Sequence, residues 1–286
     1  MSARFGPAGN SESFRQMGYK KTMDVPDYLL KLGLDHYEYQ CGRGVRISEE
    51  QARAFGEKSR EKGISLSVHA PYYISLSGIE EEKRLGSIEY ILQTVRVAKA
   101  MGAQHIVVHS GSCAKLSREK ALELSKDTLK RALQAMEEEG LGSVTVCPET
   151  MGKTGQLGTL EEVLALCQAD ERLLPCVDFG HLYARTFGEM NGAESYEAAL
   201  KSIQNALGES RARSFHVHFS RIAFTRPGGE KRHLTFSDET FGPEYPPFIE
   251  LIHRYSLSPI IVCESAGTQA EDAKAMKDCY MQLKNR

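Results

Sequence analysis

The chain of 286 residues has no stretch of about 18 consecutive apolar residues, so the sequence predicts no helix that spans a membrane. Its first residues, Met1–Asn10, contain no apolar segment of the kind that a secretory signal peptide requires. These two absences lead us to expect a cytoplasmic protein that has no membrane partner.

The cysteines form no C-x-x-C pair, and their number, seven, is odd. Several of them, such as Cys147 and Cys263, lie inside short apolar runs. This pattern is typical of reduced and mostly buried thiols. It argues against a disulfide framework and against a structural zinc site built on thiolates.

The sequence also lacks a strong excess of charge of either sign, since its net charge is −2. A small net charge does not favour nucleic acid as a partner, although a local basic patch can exist on a nearly neutral protein. Hydrophobic residues make up 41% of the chain and charged residues 26%, as in ordinary globular proteins. The length allows one large α/β barrel or two small domains.

Short apolar runs alternate with longer amphipathic segments almost to the end of the chain. The runs are rich in Val, Ile, Leu and Cys, as expected for strands that are buried on both faces. The predicted strands are Ala3–Gly6, His36–Gln40, Ile64–His69, His105–Ser110, Val144–Glu149, Leu174–Asp178, Ser214–Phe219 and Pro259–Glu264.

Eight strand–helix units in strict alternation favour a closed parallel (β/α)8 TIM barrel, which would occupy residues 1–286 as a single domain. The alternative is a doubly wound open sheet, which usually carries a G-x-G-x-x-G loop after its first strand. The segment Gly6–Gly9 does not have that pattern. One long segment, Ser220–Pro247, is rich in Gly, Pro, Arg and Lys, and we expect it to be an irregular functional loop.

Helix boundaries are marked by residues that satisfy the free backbone groups at helix ends. Ser48 and Ser117 precede acidic first turns, and Thr159 with Glu162 matches the capping-box pattern. Glycines that are expected to end helices just before a strand are Gly63, Gly102 and Gly140.

The active site of such a barrel lies at the carboxyl ends of its strands. Six successive predicted strands end in, or carry near their end, an imidazole or a carboxylate, and the long loop adds another imidazole. These residues are His69, His109, Glu149, Asp178 with His181, His218, Glu264 and, in the loop, His233.

Each of these residues taken alone is often a hydrogen-bonded polar side chain or a helix cap. Together, without a cation, they would leave unpaired charge at the barrel mouth, which is costly. We therefore predict a metal centre, and ligands without thiolate suit zinc, manganese or iron. His216 lies two residues before His218 on the same face, and we expect it to support the site rather than bind the ion. Three further histidines have no ligand partner in register, namely His36, His105 and His253.

The order and spacing of six short motifs resemble endonuclease IV, the second family of apurinic/apyrimidinic endonucleases. The resemblance covers nearly the whole chain. The motifs are Val68-His69-Ala70-Pro71-Tyr72, Val108-His109-Ser110-Gly111, Pro148-Glu149-Thr150, Val177-Asp178-Phe179-Gly180-His181, Val217-His218 and Cys263-Glu264.

The resemblance implies an α/β barrel that holds zinc, in this chain two or three ions. It assigns one ion to His69, His109 and Glu149. A second would be held by Glu149 as a bridge together with Asp178, His218 and Glu264. A third would be held by His181 and an Asp-x-His pair in the loop after strand seven, where His233 stands in this chain.

The activity that the resemblance implies is hydrolysis of a phosphodiester beside an abasic site in double-stranded DNA. Glu149 and Glu264 would be the catalytic carboxylates, the first by fixing the metal spacing and the second by orienting the nucleophile. Tyr72 matches a family residue that inserts at the damaged site. Arg43 is a candidate for contact with the phosphate backbone.

The chain departs from the family pattern after strand seven. Lys231-Arg232-His233 stands where the family has Asp-x-His. Either Glu230 replaces the missing aspartate after a shift of one residue, or the charge of Lys231 takes the place of the third ion. The family's Asn-Asp after the strand-seven histidine is absent as well, and so is its Ser-Leu-Gly-Glu-Gly motif.

Two other functions stay open. A sugar isomerase or epimerase, acting on a small sugar or sugar phosphate, would use one divalent metal on Glu149, Asp178, His218 and Glu264. That hypothesis leaves His69 and His109 without a role. The remaining alternative is a non-catalytic binding barrel that has kept part of the site.

Overall fold

The fold is built on parallel strands, within the residues 2–285 that this computed structural model describes. The strands are β1 Arg4–Pro7, β2 His36–Gln40, β3 Ser65–His69, β4 His105–His109, β5 Thr145–Glu149, β6 Cys176–Asp178, β7 His216–Phe219, β8 Ile222–Thr225, β9 Gly229–His233 and β10 Ile260–Cys263. Eight of them are hydrogen bonded in parallel, in the order β1-β10-β7-β6-β5-β4-β3-β2. The predicted barrel is therefore confirmed, with its first strand displaced by one residue from the predicted Ala3–Gly6.

The barrel closes between β1 and β2 through a small number of backbone contacts. Ala8 forms a parallel bridge with Glu38, and the amide of Gly9 donates to the Glu38 carbonyl over 3.0 Å. At Gly6, a Cβ atom would lie 1.9 Å from the carbonyl oxygen of His36. The two strands can approach this closely because glycine has no side chain there.

Helices surround the barrel and follow the strands in alternation. They are α1 Glu12–Gln16, a 3₁₀ helix Thr22–Asp24, α2 Val25–Leu32, α3 Glu49–Glu61, α4 Glu81–Met101, α5 Arg118–Glu138, α6 Leu160–Cys167, α7 Phe179–Arg185, α8 Ala193–Leu207, α9 Glu209–Arg213, α10 Tyr245–Arg254 and α11 Gln269–Lys284. Within residues 2–285, no helix is both long enough and apolar enough to cross a membrane.

The predicted helix caps are present. Ser48 and Thr159 each form a reciprocal capping box, with Gln51 and Glu162 respectively, and the Ser117 hydroxyl accepts from the amide of Lys120. The three predicted terminal glycines have φ angles of 66–72°, in the left-handed region that ends a helix at little cost.

The space between strands and helices is apolar, whereas the inside of the barrel is largely polar. On β7, Val217 and Phe219 belong to the main hydrophobic core, while His216 and His218 point to the other face of the strand and are fully buried. A small separate cluster of Val107, Cys147 and Cys176 lies on that inner face. These residues pack below the carboxyl mouth, so the floor of the predicted site consists of imidazole, carboxylate and thiol groups.

The segment Ser220–Pro247 is only in part the irregular loop that the sequence predicts, since residues 234–244 form no helix or strand. Its first half is an antiparallel hairpin formed by β8 and β9. The prediction fails here because β8 and β9 are short and carry mixed polar and apolar residues, so they show no clear period of two. The hairpin rises from the barrel mouth directly beside β7.

Candidate metal centre

The ends of neighbouring strands bring the predicted ligand positions side by side. Glu149 on β5 is in register with His109 on β4, and Asp178 on β6 is in register with His218 on β7. The last residue of β3 and the residue after β10 join them, because all eight strands run in the same direction. The predicted ligands therefore converge at the carboxyl mouth, where barrel active sites are built.

The first group of ligands contains two imidazoles and one carboxylate oxygen. The Nε2 atoms of His69 and His109 each lie 3.5 Å from Oε2 of Glu149. Nδ1 of His69 lies 2.7 Å from the carbonyl oxygen of Ala70, which can only accept, so Nδ1 carries the proton. Nε2 is therefore the nitrogen of His69 that would bind an ion beside the carboxylate.

The second group contains Glu149, Asp178, His218 and Glu264, whose ligand atoms lie within 4.8 Å of one another. Nδ1 of His218 lies 2.9 Å from Oε1 of Glu149 and 3.6 Å from Oε1 of Glu264. Asp178 uses Oδ1 to cap helix α7, since it accepts from the amide of His181 over 2.7 Å. Its Oδ2 stays available at the mouth of the barrel.

The third group contains His181, Glu230 and His233. Nε2 of His181 lies 3.5 Å from Glu230 Oε2, and Nε2 of His233 lies 3.9 Å from Glu230 Oε1. Nδ1 of His181 donates to the carbonyl oxygen of Thr150 over 2.9 Å, so Nε2 is the nitrogen that would bind an ion beside Glu230. Lys231 is exposed to solvent, so of the two alternatives for the missing aspartate, the geometry favours Glu230.

A β-bulge explains how Glu230 reaches this position. In the hairpin, Ala223 pairs with Arg232 and Phe224 pairs with Glu230, so Lys231 is an extra residue without a partner on β8. Side chains alternate along a regular strand, and residues three positions apart face opposite sides. The extra residue shifts the alternation by one position, so Glu230 and His233 come to the same side of the hairpin.

The hairpin is held in place by the loop after β5. The amide of Glu230 donates to the carbonyl oxygen of Gly152 over 3.1 Å. A Cβ atom at Gly152 would lie 2.6 Å from Cβ of Glu230 and 3.0 Å from Cδ2 of His181. The absence of a side chain at this position provides the space in which the third group assembles.

Burial and neighbouring charges oppose each other at these histidines. Burial lowers the pKa of His69 and of His181, but the adjacent carboxylates outweigh it and raise both values to about 9. Burial dominates at His109 and lowers its pKa to about 4. Burial would raise the pKa of Glu149, but the charge of His218 and contacts with other imidazoles hold it well below its usual range. Glu149 is thus an ionised carboxylate enclosed by imidazoles.

The residues present fit a centre of divalent ions. Two buried oxygens, Oε2 of Glu149 and Oδ2 of Asp178, receive no hydrogen bond from any residue among 2–285. An unpaired buried acceptor costs roughly 1–3 kcal/mol, more if charged, and a cation removes that cost. Imidazole and carboxylate ligands suit zinc, and also manganese or iron.

The predicted DNA-binding residues lie on the rim rather than among the ligands. The Tyr72 side chain is 57% exposed, and its amide donates to the carbonyl oxygen of Gly42 over 3.3 Å. Gly42 immediately precedes Arg43, which is exposed as well. The loops after β2 and β3 therefore present an aromatic ring and a cation beside the first group of ligands.

Glu38 was not predicted from the sequence as part of the site. This residue is fully buried in the middle of β2, and it contacts both His216 and His218. The signal was present in the alternation of β2, where His36 and Glu38 share one face and Tyr37 and Tyr39 share the other. Tyr37 and Tyr39 contact Phe55 of helix α3 on the outside of the barrel, so the polar face must point inward.

Comparisons with known proteins agree with this architecture. The family model described as xylose isomerase-like TIM barrel matches residues 26–281. An uncharacterized protein of Methanocaldococcus jannaschii is 35% identical over 257 residues, which are 90% of this chain and 91% of that protein. A probable endonuclease 4 of Aquifex aeolicus is 27% identical over 234 residues, 80% of this chain and 79% of the relative. The resemblance found in the motifs is thus confirmed by a curated relative.

Solved structures of two different kinds share the fold. Endonuclease IV from Thermus thermophilus superposes with a TM-score of 0.66 at 20% identity, covering 99% of this chain and 100% of that one. A D-tagatose 3-epimerase-like protein gives a TM-score of 0.71 at 19% identity, covering 99% and 98%. Because the family model covers most of the chain, the protein belongs to the xylose isomerase-like TIM barrel family.

Proposed function

We propose that this protein is an endonuclease IV-like phosphodiesterase that uses two or three divalent ions, preferably zinc, to cleave double-stranded DNA at abasic sites. The observation that carries the proposal is the convergence of His69 and His109 on the same oxygen of Glu149, each at 3.5 Å. A one-metal isomerase site needs neither histidine. A second ion, held by His69, His109 and Glu149, would give both histidines a role.

The third group of ligands strengthens this proposal. The loss of the family's aspartate argued from the sequence against a third ion, but Glu230 stands between His181 and His233. A carboxylate supplied from β9 replaces one supplied two residues before the histidine. The chain thus retains the donors for every ion that the resemblance implies.

The roles of the chain's own groups follow from their positions. Divalent ions in these clusters would lower the pKa of water and neutralise charge that develops on a phosphoryl group. Glu149 would set the spacing between the first two ions, since its two oxygens face different ligand groups. Glu264, at the edge of the second group, would orient the attacking water.

Tyr72 and Arg43 would engage the DNA beside the metal centre. Tyr72 is an exposed aromatic ring suited to stacking in the gap that a missing base leaves. Arg43 lies on the adjacent loop and would contact a phosphate, which positions the duplex without reading its sequence. Both loops leave the barrel beside the group formed by His69, His109 and Glu149.

The direct test is cleavage of a short duplex that contains one stable abasic-site analogue. The protein is purified without chelator or histidine tag and loaded with zinc, and its metal content is measured first. We expect a single nick at the abasic position, with no nick in the matched intact duplex and none with Glu149→Gln. Metal-loaded protein that leaves the abasic duplex intact would exclude the proposed function.

A second candidate is a metal-dependent sugar epimerase or isomerase. The observation that favours it is the tight group of Glu149, Asp178, His218 and Glu264, which alone supplies four ligands for one ion. Glu149 and Glu264 would then move a proton at the carbon next to a carbonyl. This activity would be identified by NMR, as exchange of that proton with deuterium from the solvent in one of a panel of ketoses. A protein that takes up no metal at all would instead support the non-catalytic barrel.

A further inference from the structure

Glu38 lies at the centre of the polar barrel interior, with no surface exposed to solvent. Its Oε2 lies 2.9 Å from His216 Nε2 and accepts from the hydroxyl of Ser67 over 2.8 Å. Its Oε1 accepts from Nε2 of Gln40 over 3.1 Å. His218 Nε2 lies 3.0 Å from the same oxygen, as a close contact that is not in hydrogen-bond geometry. Four polar groups therefore surround the two oxygens of this carboxylate, three of them in hydrogen bonds and His218 in a close contact.

Four contacts use the full accepting capacity of a carboxylate, which has about four lone-pair positions. An ionised carboxylate can only accept, so an imidazole that hydrogen bonds to Glu38 must present an N–H at its Nε2. For His218 this assignment fixes the tautomer, and it leaves Nδ1 without a proton once a cation is bound. Nδ1 is the atom that faces Glu149 and Glu264.

We propose that Glu38 is a positioning residue that holds the His218 ring, with Nδ1 directed at the second ion, by accepting from Nε2 on the opposite side of the ring. The inference rests on the proposed metal centre but not on the identity of the substrate. A carboxylate that accepts from the far nitrogen of a ligand histidine fixes the orientation of the ring and makes it a stronger donor to the metal.

The hydrogen-bond directions set by Glu38 continue toward the opposite mouth of the barrel. Because His216 donates from Nε2, its Nδ1 accepts in the neutral ring. Nδ1 of His105 lies 3.3 Å from Nδ1 of His216, so His105 supplies that proton. The chain of contacts runs from His105 through His216, Glu38 and His218 to Glu149, which makes Glu38 the link between the barrel floor and the metal centre.

An inner metal site is the competing explanation for the same residues. Cys176, His216 and His218 have ligand atoms within 4.8 Å of one another. Binding an ion there would remove both imidazole donors from Glu38 and leave that carboxylate short of partners. The contacts to Glu38 therefore favour a supporting role for His216 over a ligand role, and a Cys176→Ser variant separates the two explanations.

The test compares Glu38→Gln with His36→Gln, titrating chelator-treated protein with zinc in competition with a chromophoric chelator. The amide of glutamine would present N–H groups to an imidazole N–H, so one ring must turn or change tautomer. His36 is equally buried on the same face of β2 but contacts the hydroxyls of Ser65 and Ser67. We expect Glu38→Gln to weaken one zinc-binding step by ~10–100-fold and to leave the other steps unchanged. His36→Gln and Cys176→Ser should leave every step unchanged.

Nitrogen-15 NMR of the histidine rings in the zinc-loaded wild type gives a second readout, which does not depend on whether a variant folds. We expect His218 to carry its proton on Nε2, with Nδ1 bound to metal. A proton on Nδ1, zinc affinity of Glu38→Gln equal to wild type, or an equal loss in His36→Gln would overturn the inference. Loss of a zinc-binding step in Cys176→Ser would overturn it in favour of the inner site. Wild-type protein that binds no zinc would instead contradict the proposed function.

Discussion

Oε1 of Glu230 lies 3.9 Å from Nε2 of His233, although the two residues are three positions apart on one strand. A regular strand would turn them to opposite faces. The bulge at Lys231 makes the contact possible, because it brings Glu230 and His233 to the same side of β9. Two candidate ligands can thus face the same side of a strand although three positions separate them in the sequence.

Glu230→Gln should remove one metal ion per chain, because the amide has no charge to balance the cation between His181 and His233. Lys231→Asp should leave metal content unchanged, since Lys231 is exposed and the third group consists of His181, Glu230 and His233. Elemental analysis of the two variants side by side measures both effects. A gain of metal in Lys231→Asp would mean that the lysine, not Glu230, controls the third site.

Gly152→Ala should lower occupancy of the third site without loss of the first two. The added methyl group would lie 2.6 Å from Cβ of Glu230, closer than two carbon atoms can approach, so the hairpin must move away. Gly155→Ala in the same loop, where a Cβ meets nothing within 4 Å, is the matched control. Equal metal content in both variants would show that the hairpin docks with more freedom than the structure indicates.

Glu149→Gln should lose at least one ion and lower the reaction rate by more than the ~100-fold typical of an outer-shell partner. The reason is that one side chain faces both the first and the second group of ligands. Metal content and turnover are measured on the same preparation, with Glu137→Gln on the surface of α5 as the control. Unchanged content and rate would disprove the bridging role.

The stability of the protein should fall with decreasing pH because of His105. Burial and the charge of His216 lower the pKa of His105 to about 3, against an ordinary value near 6.5. Below pH 6.5 the unfolded chain binds a proton that the folded chain refuses. The contribution of neutral His105 to the free energy of unfolding is fully present above about pH 6.5. It is lost as the pH falls toward 3, with a slope up to ~1.4 kcal/mol per pH unit.

Urea unfolding at several pH values, with wild type and His105→Gln compared, isolates this contribution. The free energy of unfolding should decline more steeply for wild type between pH 6.5 and the acid limit of the folded state. Parallel curves for the two proteins would mean that His105 takes up its proton in the folded barrel.

Tyr72→Ala should weaken binding to an abasic duplex and leave metal content intact, because the ring is exposed on the rim and contacts no ligand. Loss of one stacking contact is worth roughly 1–3 kcal/mol, or about 5–150-fold in affinity. Tyr255→Ala, at an exposed tyrosine before the amino end of β10, is the control. Equal affinity of Tyr72→Ala and wild type for the abasic duplex would place Tyr72 outside the recognition surface.

The barrel strands could be predicted closely because each is a short apolar run bounded by helix caps and glycines. The ligands could be located because parallel strands of a barrel end at one mouth, so position in sequence implies position in space. His69 and Glu149 lie 80 residues apart, yet their meeting follows from that rule alone.

Other features of the site depend on local departures from regular structure. The role of Glu230 depends on a bulge, and periodicity along β9 carries no sign of one extra residue. Glu38 is a lone acid within a strand, and its function becomes visible only when β7 is known to lie opposite it. Both residues act through partners that are distant in the sequence, Glu230 through His181 and Glu38 through His216.

The polar interior of the barrel has a consequence for how this protein can change. An apolar core tolerates single exchanges of similar volume. Replacing Glu38 alone by a hydrophobic residue would instead leave several buried donors without an acceptor. Each unpaired donor would destabilise the fold by roughly 1–3 kcal/mol. Substitutions inside this barrel are therefore interdependent. A variant without the Glu38 carboxylate would fold stably only if His216 and Ser67 were changed at the same time.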